Sequence, residues 1–330
     1  MEGESSKVDT LRIDMTSLSA FSICKRKGIL SGVHHLQTAV DAIPLRAGKA
    51  IHLAVETRMK GSSDQEALTA FDLDYKDYSE KVVYEDNPRR WSNLRKILEV
   101  WLGNFPSHPY KIPSPSFVEI GFSLALTDWL TIVGKPDALV LYNGGWWVLD
   151  TKTTGKFDWK FRKKWETSGQ ISCYMYALQQ HLKAIGDSRP VVGAIINAIE
   201  IKDIPESNLP CRAKPQHLGE DGKPSRFSEC GAKHLTQELI QVNRTQKELE
   251  DWKNAVVHDA EQFLKFRTNF PSLSDVPNIP GNGIMSDACS SCKYREWCFG
   301  GLNPKMLPHM FEVDKWEPYP GALYELQPTP

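Results

Sequence analysis

The dipeptide Asn143-Gly144 constrains this chain more than any other pair of residues. It separates two apolar runs that read as strands, Ala138 to Tyr142 and Trp146 to Leu149. A two-residue hairpin loop needs positive φ at both positions, which Asn and Gly tolerate best, so the pair predicts a tight antiparallel hairpin. Fixing the loop fixes the register, with facing residues whose numbers add to 287. Asp137 and Asp150 then oppose each other, and Lys152 points to the same face as Asp150. Directly opposed like charges destabilise a sheet. Such a pair needs a counter-charge, and a hard divalent cation with oxygen ligands is the natural one. Mg²⁺ or Mn²⁺ held there would polarise a phosphodiester and lower the pKa of a bound water. A neighbouring lysine would orient that water or neutralise charge developing on the phosphate. A surface hairpin with solvated charges uses the same residue types, so the hairpin alone does not decide between the two.

The bulk properties exclude several classes. With 330 residues, 41% of them hydrophobic, the chain can build one large core with appendages. A formal net charge of -1 means that any nucleic-acid contact must come from local patches. There is no apolar run of about 18 residues or more, so no membrane span is expected. Met1 to Thr10 is polar and lacks the apolar segment of a signal peptide. The seven cysteines are odd in number and unevenly spaced, which fits a reducing, intracellular compartment where clustered cysteines suggest metal binding. Neither a Walker A loop nor a GxGxxG motif is present, so no ATP motor is expected.

The apolar periodicity predicts a helix over 16–30 capped by Thr16 or Ser17, and a second from Arg46 to Lys60 carrying His52. An amphipathic helical stretch follows, broken near Asn87-Pro88 and resuming from Arg89 to Phe105. Phe117 to Leu126 and Trp129 to Val133, split by Thr127-Asp128, predict another hairpin, so three or four antiparallel strands would form a meander. A helix is expected from Thr167 to about Leu182, a buried strand from Val191 to Ile201, a loop insertion over 203–232 and a long helix from Leu235 to Phe266. Gln170 and Tyr174, at i and i+4, share one helical face. They are in reach of the lysine, a phosphate or the metal-bound water.

Cys289-x₂-Cys292-x₅-Cys298 brings three thiols within ten residues. A closed site needs a fourth ligand, and Cys24 is the candidate. Four thiolates suit either tetrahedral Zn²⁺ or an iron–sulfur cluster, and spacing does not choose. Cys173 reads as a core residue. Cys211 and Cys230 read as unpaired thiols, or as a second small site with His217 or His234.

Asp137, twelve intervening residues, Asp150-x-Lys152 and then Gln170-x-x-x-Tyr174 resemble the PD-(D/E)XK nuclease superfamily, and within it the RecB-type branch. Ser17-Leu18-x-x-Phe21-x-x-Cys24 and the helical histidine in Gly48-Lys49-Ala50-Ile51-His52 match the start of that branch. The resemblance implies an α/β, restriction-endonuclease-like fold: a mixed central sheet flanked by helices, with the terminal segments forming a four-cysteine clip. It implies one nuclease domain over 1–330, with a helical insertion over about 53–110, the loop insertion over 203–232 and a cysteine tail over about 281–300.

The same resemblance assigns roles. His52, Asp137 and Asp150 would ligate the catalytic metal, with the Thr151 carbonyl as a backbone ligand. Lys152 would be the catalytic lysine, supported by Gln170 and Tyr174. Glu119 sits where many members carry an earlier acidic residue. A three-residue turn centred on Asp128 would pair it with Asp137, and a two-residue turn would not. One N-terminal and three C-terminal cysteines, here Cys24, Cys289, Cys292 and Cys298, are the pattern of AddB-type and CRISPR-associated Cas-four nucleases, which carry a 4Fe–4S cluster.

Two segments offer contacts for DNA. Lys156 to Trp165 interleaves cations with aromatics, as single-strand binding requires. Arg89-Arg90-Trp91 with Arg95 and Lys96 reads better as an amphipathic helical face. The expected function is a Mg²⁺- or Mn²⁺-dependent DNA exonuclease acting on single-stranded ends in recombination, repair or replication, encoded by a cell, a virus or a mobile element. A spacer-acquisition nuclease of the Cas-four type and a catalytically silent DNA-binding subunit are the alternatives.

Overall fold

The computed structural model describes residues 10–38, 41–204, 237–282, 287–314 and 325–326. The first part of the chain forms β1 (Leu11–Asp14), α1 (Met15–Ile23), α2 (Lys25–Gly32), β2 (Leu36–Gln37), α3 (Ile43–Met59), α4 (Asp64–Val82) and α5 (Trp91–Asn104). The middle forms β3 (Phe122–Ala125), β4 (Leu130–Gly134), β5 (Ala138–Tyr142), β6 (Gly145–Thr154), α6 (Trp159–Glu166), α7 (Gly169–Ile185) and β7 (Val191–Glu200). Then come β8 (Gln237–Val242), α8 (Gln246–Asn269), α9 (Arg295–Phe299), α10 (Leu307–Met310), β9 (Glu312–Val313) and β10 (Glu325–Leu326).

Strands β5, β6, β7 and β8 form a mixed sheet in that order, antiparallel at both outer pairs and parallel between β6 and β7. A second sheet has the order β1, β4, β3, β10, its middle pair an antiparallel hairpin and its outer strands parallel to their neighbours. β2 and β9 make a small antiparallel pair between distant parts of the chain. This is the mixed α/β architecture expected, with one correction. The two hairpins do not form a single meander, because Lys135-Pro136-Asp137 intervenes between β4 and β5 and proline supplies no ladder amide. Isolated bridges pair Val118 with Ala138 and Lys111 with Leu141, attaching the segment before β3 to β5.

Alternation along β6 builds two cores. Trp146 and Val148 face α1, α2, α7 and α8 in one apolar cluster. Trp147 and Leu149 face α3, α4 and α5 in the other, with Trp101 wholly buried against them. Burying each such side chain contributes roughly 1.5–3 kcal/mol, so β6 is held firmly from both sides. The strand that carries Asp150 and Lys152 is thus the central slab of the molecule.

Three element assignments differ from the sequence reading. The helix over 16–30 is two helices, because Cys24 adopts extended backbone at φ -151° and breaks it. Asp14 caps α1, accepting from the amides of Thr16 and Ser17, in place of either of those residues. The long helix from Leu235 is a strand followed by a helix. β8 pairs along β7, and Thr245 with Glu248 forms a capping box that starts α8. The loop insertion beyond residue 204, with Cys211, His217, Cys230 and His234, lies outside the described residues.

Candidate active site

Asn143 and Gly144 form the two-residue loop, with φ of 47° and 77°. The pairing runs from Tyr142 opposite Gly145 to Ala138 opposite Leu149, the register read from the sequence. Asp137 therefore lies across from Asp150 at the end of the hairpin. The Thr151 amide donates to the Asp137 carboxylate. Asp150 is 2% exposed, and its Oδ2 lies 2.6 Å from Lys152 Nζ. From α3, His52 Nδ1 reaches within 3.4 Å of Asp137 Oδ2. A Cβ on Gly48, one turn before His52, would stand 3.3 Å from Thr153 Oγ1, so this glycine lets α3 pack tightly onto β6. One imidazole, two carboxylates and one ammonium thus meet where α3 crosses the hairpin end.

The electrostatics separate the two carboxyls. Burial would raise Asp137, but His52, Lys152 and the Thr151 amide outweigh it and hold the group at about 2. Asp150 moves up instead, because burial and the Asp137 charge exceed the pull of Lys152. Burial would lower His52 and Lys152, yet the carboxylates raise both. The site therefore holds negative charge that is compensated only by side chains at its own edge.

Asp150 Oδ2 is buried, and its partner among the described residues is the Lys152 ammonium at 2.6 Å. Two carboxylates, an imidazole and the adjacent Thr151 carbonyl are a hard, mostly oxygen donor set, which fits Mg²⁺ or Mn²⁺. As the side chains stand, no group of three or more His, Cys, Asp or Glu among the described residues converges closely enough to hold an ion.

Glu119 follows from the turn length. Leu126 donates to the Leu130 carbonyl, leaving a three-residue loop centred on Asp128. The Glu119 amide donates to the Asp137 carbonyl at 2.8 Å. Glu119 sits at φ +57°, a left-handed conformation that non-glycine residues seldom adopt. Its carboxylate pairs with Lys135, for which no motif suggested a role.

Gln170 and Tyr174 share a face at the start of α7, as their spacing predicts. Their bonds go elsewhere than the lysine. Gln170 Nε2 donates to Tyr174 Oη at 2.9 Å, and Tyr174 Oη donates to the Lys135 carbonyl at 3.1 Å. The pair thereby pins the segment that leads into Asp137.

Cys24, Cys289, Cys292 and Cys298 line one cavity of about 460 Å³. All four are unbridged thiols. Burial raises the Cys298 thiol against the pull of Arg26, whose Nη1 lies 3.7 Å from its Sγ. Arg26, Lys27 and Arg295 share the cavity wall, so its surroundings are cationic. The donor set and the charge suit an anionic thiolate-held group. Cys173 is fully buried in α7, as expected.

The cation–aromatic segment is less available than the sequence suggested. Phe161 and Trp165 pack inward at 6% exposure, while Trp159 is 66% exposed. Arg162 is locked to both carboxylate oxygens of Glu238. In the second segment, Arg90 pairs with Asp203, while Arg95 and the Trp91 indole are held by Asp72.

A family profile for the PD-(D/E)XK nuclease superfamily matches residues 12–299. No curated protein matches the chain significantly. A crystal structure of a candidate exonuclease from Eubacterium rectale is similar over 82% of this chain and 88% of that one, at 9% identity and a TM-score of 0.43. That likeness is too weak to bear on function. The family match covers most of the chain and takes in the hairpin, the α7 pair and all four clustered cysteines: the chain belongs to the PD-(D/E)XK nuclease superfamily.

Proposed function

We propose that this protein is a metal-dependent deoxyribonuclease of the RecB-like branch, degrading DNA from single-stranded ends in recombination, repair or replication. The observation that carries the reading is the hairpin end, where His52, Asp137, Asp150 and Lys152 meet around two buried, facing carboxylates. His52, Asp137, Asp150 and the Thr151 carbonyl would hold Mg²⁺ or Mn²⁺, which would supply a Lewis acid for the phosphodiester and acidify a water. Lys152 supplies positive charge toward the phosphate as its oxygens gain charge. Tyr174, itself held by Gln170, donates to the Lys135 carbonyl and so positions the segment that carries Asp137. The four cysteines that share a cavity would hold a 4Fe–4S cluster, which would staple the chain ends and limit the unfolded chain as a long-loop cross-link does. No helix among the described residues is long and apolar enough to cross a membrane.

The test is degradation of 5′- and 3′-end-labelled single- and double-stranded DNA in Mg²⁺. Lys152→Ala is expected to slow cleavage by about 10²–10⁴-fold, the usual weight of one positioned catalytic group. An unchanged rate would remove Lys152 from the chemistry. A wild-type protein that binds DNA but never cuts it would favour a silent binding subunit.

A further inference from the structure

A groove of about 1730 Å³ runs along β1, α1 and α2 and adjoins the hairpin site at Lys135, Gln170 and Tyr174. Pockets for small molecules occupy about 300–1,000 Å³, so this one is sized for a polymer. Its wall carries more cations than carboxylates. Among the carboxylates, Asp14 is spent on capping α1 and Asp41 pairs with Lys49. Arg12, Lys27 and Arg267, from β1, α2 and the last turn of α8, line the groove and form no ion pair among the described residues. Three elements distant in sequence thus present positive charge to one channel that reaches Lys135, two residues before Asp137, with Glu312 and Asp314 the other acidic residues on its wall.

We propose that this groove is the track for the phosphate backbone of a single DNA strand whose end reaches Asp137 and Asp150, held by Arg12, Lys27 and Arg267. The proposal rests on the nuclease reading and assigns the strand to a different surface from the Lys156 to Trp165 segment, where two aromatics are packed away and Arg162 is paired. The three contacts carry charge and no base-reading geometry, so binding is sequence-tolerant and salt-dependent. Each phosphate neutralised on a single strand contributes about -0.7 to the slope of log K against log salt.

The experiment is fluorescence anisotropy of a labelled oligothymidylate with the full-length protein in EDTA, over a range of salt. The triple variant R12Q/R267Q/K27Q is expected to bind at least about tenfold more weakly and to lose about 2 from the salt slope. The charge-keeping variant R12K/R267K is expected to retain the wild-type slope. If the triple variant fails to fold by circular dichroism, Lys27→Gln and Arg267→Gln singly should each lose about 0.7. Wild-type affinity and slope in the folded variants would overturn the proposal, as would a loss confined to blunt duplex. Cleavage in Mg²⁺ separates the two readings. Normal cleavage by the triple variant with an unchanged KM rejects the groove and keeps the nuclease. Full strand binding by a wild-type protein that cuts nothing, with the slope lost in the triple variant, rejects the nuclease and keeps the groove.

Discussion

Asn197 on β7 donates to the Thr151 hydroxyl at 3.2 Å, directly across the parallel pair that carries the site. Both side chains are wholly buried. Asn197 Oδ1 also accepts from the Trp101 indole at 3.3 Å and from Gln237 at 3.0 Å. Gln237 in turn meets His108, whose other ring nitrogen lies 2.7 Å from Tyr110 Oη. A polar chain therefore crosses the apolar layer under α5 and ends on the residue whose amide holds Asp137.

Asn197→Leu would strand the Trp101 N–H, the Thr151 hydroxyl and the Gln237 amide. A buried polar group left without its partner costs about 1–3 kcal/mol, so the variant should lose about 3 kcal/mol or more in urea unfolding. Adding Thr151→Val removes one stranded hydroxyl and should recover part of that loss, because neighbours in one network are not additive. Strictly additive losses would show that the two side chains are not coupled.

The same chain gives a pH dependence. Burial lowers the His108 pKa, and Gln237 offsets this only in part. The folded protein thus takes up the proton less readily than the unfolded chain, whose histidines titrate near about 6.5. The stability tied to neutral His108 is complete above that pH and is lost as pH falls through it toward the folded value. His108→Gln removes this term, so the stability gap between wild type and variant should narrow from pH 7.5 to pH 5.5. A gap independent of pH would contradict it.

How far these features could be read in the sequence depends on range. The hairpin register was legible because a two-residue loop and a period of two leave one solution, and Asp137, Asp150 and Lys152 follow from it. The place of Glu119 hinged on a single turn residue, and only the three-residue loop around Asp128 decided it. β8 was not legible, because Gln237 to Val242 become a strand through pairing with β7 and not through local preference. The inward stripe of Phe157, Phe161 and Trp165 was present as i, i+4 spacing, yet the interleaved lysines masked it. Arg12, Lys27 and Arg267 share no local pattern, since β1, α2 and α8 meet only in the folded chain.

Gly28 controls how α1 meets α2. A Cβ there would fall 2.3 Å from both Cα and Cβ of Phe21, and backbone atoms cannot move aside as a flexible side chain does. Gly28→Ala should cost about 3 kcal/mol, the upper end for overpacking, and should disturb Cys24 between the two helices. Gly103 in α5 has nothing within 4 Å of its Cβ position. Gly103→Ala should be stabilising by about 0.5–1 kcal/mol through chain entropy alone. Thermal unfolding of the two variants side by side checks the contrast, and equal effects would refute the packing argument.

The cysteine cavity makes a chemical prediction. Arg26 donates from Nη2 to the carbonyls of Pro277 and Ile279 and from Nη1 toward Cys298, so one guanidinium ties α2 to the segment preceding the cysteine cluster. Burial raises the Cys298 thiol against the pull of Arg26, so a bound group would have to supply the charge that keeps the sulfurs as thiolates, and the proposed 4Fe–4S cluster is such a group. Protein purified without oxygen should be brown and contain iron and acid-labile sulfide in equal amounts. Cys298→Ser should lose much of both and unfold at lower temperature, since the proposed clip would join Cys24, at the start of α2, to the C-terminal segment. Stoichiometric zinc with neither iron nor sulfide would replace the cluster by a structural zinc site, and a metal-free wild-type protein of undiminished stability would leave the four thiols without a ligand role.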